Sequence, residues 1–142
     1  MPLYTPNYPQ LVSKAYAALA AYVTAAAFTV TGDVKVQVFG IVGATAITST
    51  SGTTTLSLGT TESAAGIIAA STVNNTQFAA TDVWVDSTPA NDVEALAAAP
   101  WHIIGGGADI NLVGSVDDIL GGTLTLYCYW QPLSAGGLVV AA

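Results

Sequence analysis

The sequence predicts an all-β protein: an antiparallel β-sandwich or jelly-roll-like barrel with an extended N-terminal arm and at most one short helix. Three observations carry the prediction. Short runs of Val, Ile, Leu and Thr alternate with polar residues at the period of a half-buried strand. Turn residues separate these runs at short intervals. The chain is also 52% hydrophobic and only 8% charged over 142 residues, a length that suits one domain with a core of its own.

Taken in order, residues 1–10 hold Pro2, Tyr4, Pro6, Tyr8 and Pro9. Proline fixes φ and removes a backbone donor, so this piece reads as an extended arm outside any sheet interior. Residues 11–27 fit either of two patterns. Their Ala content favours helix, yet a helix of that length is marginal without packing, and Val12, Lys14, Tyr16 and Ala18 also fit one side of a strand. Residues 1–27 are therefore expected to form an arm and lead-in, and residues 28–142 the β domain with an apolar tail. In that domain Phe28-Thr29-Val30-Thr31 ends at Gly32-Asp33, a turn signal, and Val34, Val36 and Val38 then alternate with Lys35 and Gln37. Residues 41–50 continue the pattern, Ser51-Gly52 turns the chain, and residues 54–58 alternate again. Residues 67–68, 83–85, 101–104, 108–113 and 123–130 complete about eight or nine short strands. Residues 89–99 suit either a loop or a short helix that Thr88 would cap, with Pro89 at its first position and Pro100 as its stop.

Charge excludes several function classes. Two Lys against nine Asp and Glu leave a net charge of −7, too little basic character for phosphate contacts with nucleic acid or for docking on an anionic membrane. The longest apolar stretch, residues 15–27, is shorter than the roughly 20 residues of a spanning helix. The N-terminus has no basic region of a secretion signal, so synthesis in the cytoplasm is the expectation. Soluble domains usually carry about a quarter charged residues. This surface must therefore be neutral and Thr-rich, or buried against other subunits, and the composition favours self-assembly.

Catalytic constellations are not evident, so no enzyme, cofactor or metal is expected. His102 is the single histidine and reads as a structural side chain of a strand. Cys128 lies in Leu126-Tyr127-Cys128-Tyr129-Trp130 with no base beside it, and reads as a packed thiol. Gly105-Gly106-Gly107 lacks the Lys and helix of a phosphate loop. Asp82 with Asp86, and Asp117 with Asp118, lack the spacing of a calcium loop and read as turn carboxylates. Aromatic and apolar residues are what stand out. Tyr4, Tyr8, Trp101, Trp130, Pro132, Leu133, Leu138, Val139 and Val140 are the interface candidates, since Trp and Tyr are enriched at contact hot spots and an uncharged apolar tail is expected to dock.

Several motifs carry a resemblance over residues 28–142. They are Phe28-Thr29-Val30-Thr31-Gly32-Asp33, Val83-Trp84-Val85-Asp86-Ser87-Thr88-Pro89, Gly107-Ala108-Asp109-Ile110, Gly122-Thr123-Leu124, and Tyr127-Cys128-Tyr129-Trp130-Gln131-Pro132-Leu133-Ser134 with the terminal Val139-Val140-Ala141-Ala142. Together they resemble a group of tailed-bacteriophage virion proteins of the head-decoration or auxiliary-capsid type. The resemblance implies extended structure before Phe28 and a place on the outer surface of the capsid. It also implies a mechanical role: binding the major capsid protein as a homo-oligomer, with a trimer favoured, and clasping neighbours through the arm or tail. A tail- or fibre-associated protein that binds a host receptor or glycan is the alternative. Where relatives often carry Arg before Pro-Leu-Ser, this chain has Gln131, which cannot form a salt bridge.

Overall fold

A computed structural model describes residues 9–19, 24–51, 53–74, 76–91, 93–115 and 119–142. Its strands follow as β1 (Gln10–Tyr16), β2 (Thr24–Thr31), β3 (Val34–Val42), β4 (Thr48–Ser49) and β5 (Thr55–Gly59). Then come β6 (Ile68–Thr72), β7 (Asp82–Trp84), β8 (Ala90–Asn91) and β9 (His102–Ile104). The last are β10 (Ile110–Gly114), β11 (Ile119–Gly121), β12 (Leu124–Pro132) and β13 (Leu138–Ala141).

The larger sheet runs β1-β12-β3, and the far edge of β3 is shared by β9 at one end and by β7, with β8 beyond it, at the other. The smaller sheet runs β13-β2-β10-β5-β6, and β4 pairs with β11 as a separate ribbon. All pairings are antiparallel. Two four-strand sets, β1-β12-β3-β9 and β2-β10-β5-β6, form the frame of a β-sandwich. Apart from the β5–β6 hairpin, successive frame strands alternate between the sheets, which is the winding of a jelly roll. β7, β8 and a 3-10 turn at Leu96–Ala98 are inserted between β6 and β9.

Strand parity builds the core. Val34, Val36, Val38 and Val42 of β3 and Leu124, Leu126, Cys128 and Trp130 of β12 are buried, while the intervening residues face out. Phe28, Val30, Leu56, Leu58, Ile110 and Leu112 meet them from the smaller sheet. Trp84 fills the end of this core. It packs edge-on to Phe78 at 5.5 Å, and its indole N–H donates to Ser71 Oγ at 2.8 Å. That bond satisfies the ring's polar atom inside an apolar site.

The all-β expectation holds, and the structure resolves four local points. β1 lies in the lead-in segment, for which the resemblance implies extended structure, and it pairs with β12 from Gln10 to Tyr16; β2 runs through residue 28. The continuation at residues 41–50 stops at Val42 and resumes only as the two-residue β4. Residues 89–99 hold no α-helix among their described positions. Ala90 and Asn91 pair with β7, Ala95 is extended at φ −74° and ψ 129°, and only the three residues Leu96–Ala98 form a 3-10 turn. The apolar tail is a regular strand, β13, which pairs with β2 and buries Val139.

Three of the motifs that carry the resemblance, those holding Gly32-Asp33, Gly107-Ala108-Asp109 and Pro132-Leu133-Ser134, meet at one end of the sandwich, whereas Leu124 and Val83-Trp84 pair toward the other end of β3. Gly32 takes a positive φ of 66° in the β2–β3 turn, a conformation glycine adopts without strain. Asp33 N–H donates to Ser134 Oγ at 2.9 Å, and Asp33 Oδ1 accepts from Gly106 N–H at 2.9 Å. Leu133 N–H donates to the Asp33 carbonyl, and Gly107 N–H to that of Gly32. Asp109 Oδ1 accepts from Val30 N–H at 3.0 Å. Three turns are thereby tied together, so these motif residues do structural work.

Candidate interaction surface

The outward face of the larger sheet is apolar and aromatic. Pairing places Leu11 beside Tyr129 and Tyr129 beside Gln37, Ser13 beside Tyr127 and Tyr127 beside Phe39, and Thr125 beside Ile41. Phe39 stacks on Tyr127 with centroids 5.4 Å apart and planes at 20°, and its ring lies 6.3 Å from Tyr129. Leu11 is 54% exposed, Ile103 76% and Ile41 36%.

The segment after β8 rims this face. Gln37 Nε2 donates to the Ala99 carbonyl at 2.7 Å, which holds the segment against β3. Pro9, Gln37, Leu96, Trp101 and Tyr129 line a groove of about 330 Å³ there. A smaller hollow of about 90 Å³ lies between Phe39, Val83, Val85, Glu94 and Leu96. The Lys35 ammonium stands 4.7 Å from the centre of the Trp101 ring, a cation–π distance. The smaller sheet presents a different face, on which Thr29, Thr31, Thr55 and Asn111 are exposed or half-buried. The two readings of the low-charge composition thus divide between the sheets: one outer face is neutral and polar, the other apolar.

The interface candidates fall into three groups. Trp101, Leu133, Leu138 and Val140 are exposed, and Pro132 is half-buried. Trp130 and Val139, only 6% and 2% exposed, belong to the core because strand parity turns them inward. Tyr4 and Tyr8 lie outside the described residues. The structure adds Leu11, Phe39, Leu96, Ile103, Tyr127 and Tyr129 to the surface. Parity carried the signal for the two tyrosines, since they alternate with the inward Cys128 and Trp130. Phe39 joins them only through the register of β3 with β12, which is a long-range pairing.

The residues weighed for chemistry are dispersed. Desolvation pushes the buried Cys128 thiol up to about 12. His102 Nδ1 is buried with no hydrogen-bond partner among the described residues. Asp86 Oδ1 accepts from Thr88 N–H and Oγ–H at 2.7 and 2.8 Å, as a turn carboxylate does. Asp82 Oδ2 accepts from Ala79 N–H at 3.1 Å. Among the described residues no three His, Cys, Asp or Glu cluster to hold a metal ion, and no helix is long and apolar enough to cross a membrane. Asp117 and Asp118 lie outside the described residues.

The fold and this surface define an all-β, jelly-roll-type sandwich with one apolar outer face. No protein-family model and no curated protein sequence matches the chain. Among solved structures it is similar to a chain of the cyanophage Pam1 capsid asymmetric unit, with 15% identity over 93% of this chain and 94% of that one and a TM-score of 0.41. A superposition that loose carries no functional assignment.

Proposed function

We propose that this protein is a structural component of a bacteriophage virion that decorates the outside of the head, binding major capsid subunits as a homotrimer. The outward face of the larger sheet carries the reading. Leu11, Phe39, Ile41, Tyr127 and Tyr129 make an apolar patch on neighbouring strands, with Ile103 beyond Gln37 and Lys35 on the same face, and a patch of this kind marks an interaction site. The motif resemblance supplies the class of partner. Jelly rolls serve in capsids and lectins alike, so the fold by itself does not choose. Binding of this kind adds contact free energy only to the assembled shell and so stabilises it. A specific interface needs about 1,000 Å² or more in total.

The test is co-sedimentation of purified protein with capsids that lack it. Ile41→Asp places a charge on the proposed contact, and binding is expected to weaken at least about tenfold, the equivalent of about 1.4 kcal/mol. Thr29→Asp on the opposite sheet should bind as the unmodified chain does. Equal binding by both variants, or no binding by the parent, overturns the reading. A second reading is favoured by one observation: Trp101 and Tyr129 line an open groove, a geometry that stacks on sugar rings. It places the protein at a tail or fibre, and it requires that oligosaccharide protect Trp101 from acrylamide.

A further inference from the structure

We infer that the apolar face of the larger sheet recognises its partner through two opposite charges, Lys35 and Glu94, and that the partner's patch carries a carboxylate to meet Lys35 and a cation to meet Glu94. This rests on the docking face proposed above, and it adds the partner's chemistry and orientation. Position is the first ground. Lys35 is on β3, between Gln131 of β12 and Ile103 of β9, so it lies within the face and not at its rim. Glu94 shares a hollow with Phe39, Val83, Val85 and Leu96. Both side chains are half-buried, and a partner lying on the face takes both further out of water.

The second ground is that neither charge is matched within the chain. Among the described residues neither has a hydrogen bond or an ion pair, and Lys35 has only the Trp101 ring beside its ammonium. Other charged groups are already engaged. The carboxylates of Asp33, Asp82, Asp86 and Asp109 each accept a backbone N–H, and Lys14 Nζ donates to the Ala142 carbonyl. From Lys35 to Phe39, beside which Glu94 stands, β3 advances about 13 Å, more than the screening length of about 8 Å at physiological salt. A charge covered by an apolar surface and left unpaired opposes binding, so a surface that fits here presents the opposite charge at each point. The Trp101 ring already holds the Lys35 ammonium, which lowers the ordering cost when a carboxylate arrives. A patch turned end for end would meet like charge at both points, so the pair fixes the docking orientation.

Co-sedimentation with capsids that lack the protein tests this by neutralising and reversing each charge. Lys35→Gln should weaken binding about threefold, and Lys35→Glu at least about tenfold more, because it sets like charges against each other. Lys35→Arg should bind as the parent does. Glu94→Gln and Glu94→Lys should repeat the pattern with the signs exchanged, which keeps the test decisive if one Lys35 variant folds poorly. The gap between Gln and Glu at position 35 should close as salt rises from about 0.1 to about 1 M, where the screening length falls from about 10 to about 3 Å. If Lys35 serves only to hold Trp101, Gln and Glu lose the cation–π contact alike and bind equally at every salt concentration, a result that overturns the inference. Ile41→Asp keeps the two failures apart. If it weakens binding while every charge variant binds as the parent does, the docking face stands and the paired charges fall. If it leaves binding unchanged, the docking face falls and the paired charges with it.

Discussion

The thiol of Cys128 lies at the centre of β12, on the inward face with Leu126 and Trp130, and desolvation raises its pKa from 9.0 to about 12. Below pH 9 the thiol is protonated in both the native and the unfolded chain, and the native state bears no penalty. Between pH 9 and 12 the unfolded chain releases this proton while the native chain keeps it. Stability then falls as pH rises, by at most about 1.4 kcal/mol per pH unit from this group. Urea unfolding at stepped pH should show a steeper alkaline loss for the parent than for Cys128→Ala, and identical slopes would mean that another group is responsible. The native thiol should also resist a disulfide reagent at pH 8 and react on unfolding. The same parity that hides Cys128 was legible in the sequence, where Tyr127 and Tyr129 alternate with it. What the sequence could not show was which alternate set faced the core. That choice depends on β3 and β1 pairing on either side of β12.

At the level of elements, β13 shows an apolar tail that became a strand because β2 offers it an edge. Its Val139 is 2% exposed and its Val140 42% exposed, although the two are chemically identical neighbours. Val139→Ala removes buried methyl groups and leaves a void, for an expected loss of about 2 kcal/mol. Val140→Ala should change stability by under about 0.5 kcal/mol. Denaturant midpoints for the two variants check this, and equal losses would place β13 elsewhere. Strands with clean period-2 alternation, such as β3 and β12, were legible because local pattern and burial agree. Residues 89–99 left loop and short helix open because their helix signals are all local. Residues 90–91 instead complete a ladder with β7, and Ala99 gives its carbonyl to Gln37, so tertiary bonds outweigh a short helix that is marginal alone. β1 was equally ambiguous for lack of its partner, since an Ala-rich lead-in becomes a strand only when β12 lies alongside it.

For the whole molecule, the question is how a chain with 8% charged residues and a net charge of −7 manages its surface. The smaller sheet answers with exposed Thr, and the larger sheet with an apolar face, the one proposed to meet the capsid. A second apolar feature lies along the outer edge of the smaller sheet, where Leu138 and Val140 of β13 are exposed and Leu133 stands in the turn before it. Edge strands left uncovered invite pairing with another chain, and this edge carries no charged side chain of its own. It is therefore the contact expected between subunits of the proposed trimer, with the larger sheet reserved for the capsid. Light scattering after size exclusion should give three times the 14.3 kDa chain mass. Val140→Asp should reduce that to the mass of one chain, because a charge facing the neighbouring copy is desolvated without a partner. Ile41→Asp should keep the trimer and lose only the capsid. If Ile41→Asp dissociates the trimer while Val140→Asp leaves it intact, the two surfaces exchange roles, with the aromatic face joining subunits and β13 meeting the shell. A parent chain that elutes as a monomer removes the trimer altogether and leaves the apolar face to be covered on the particle alone.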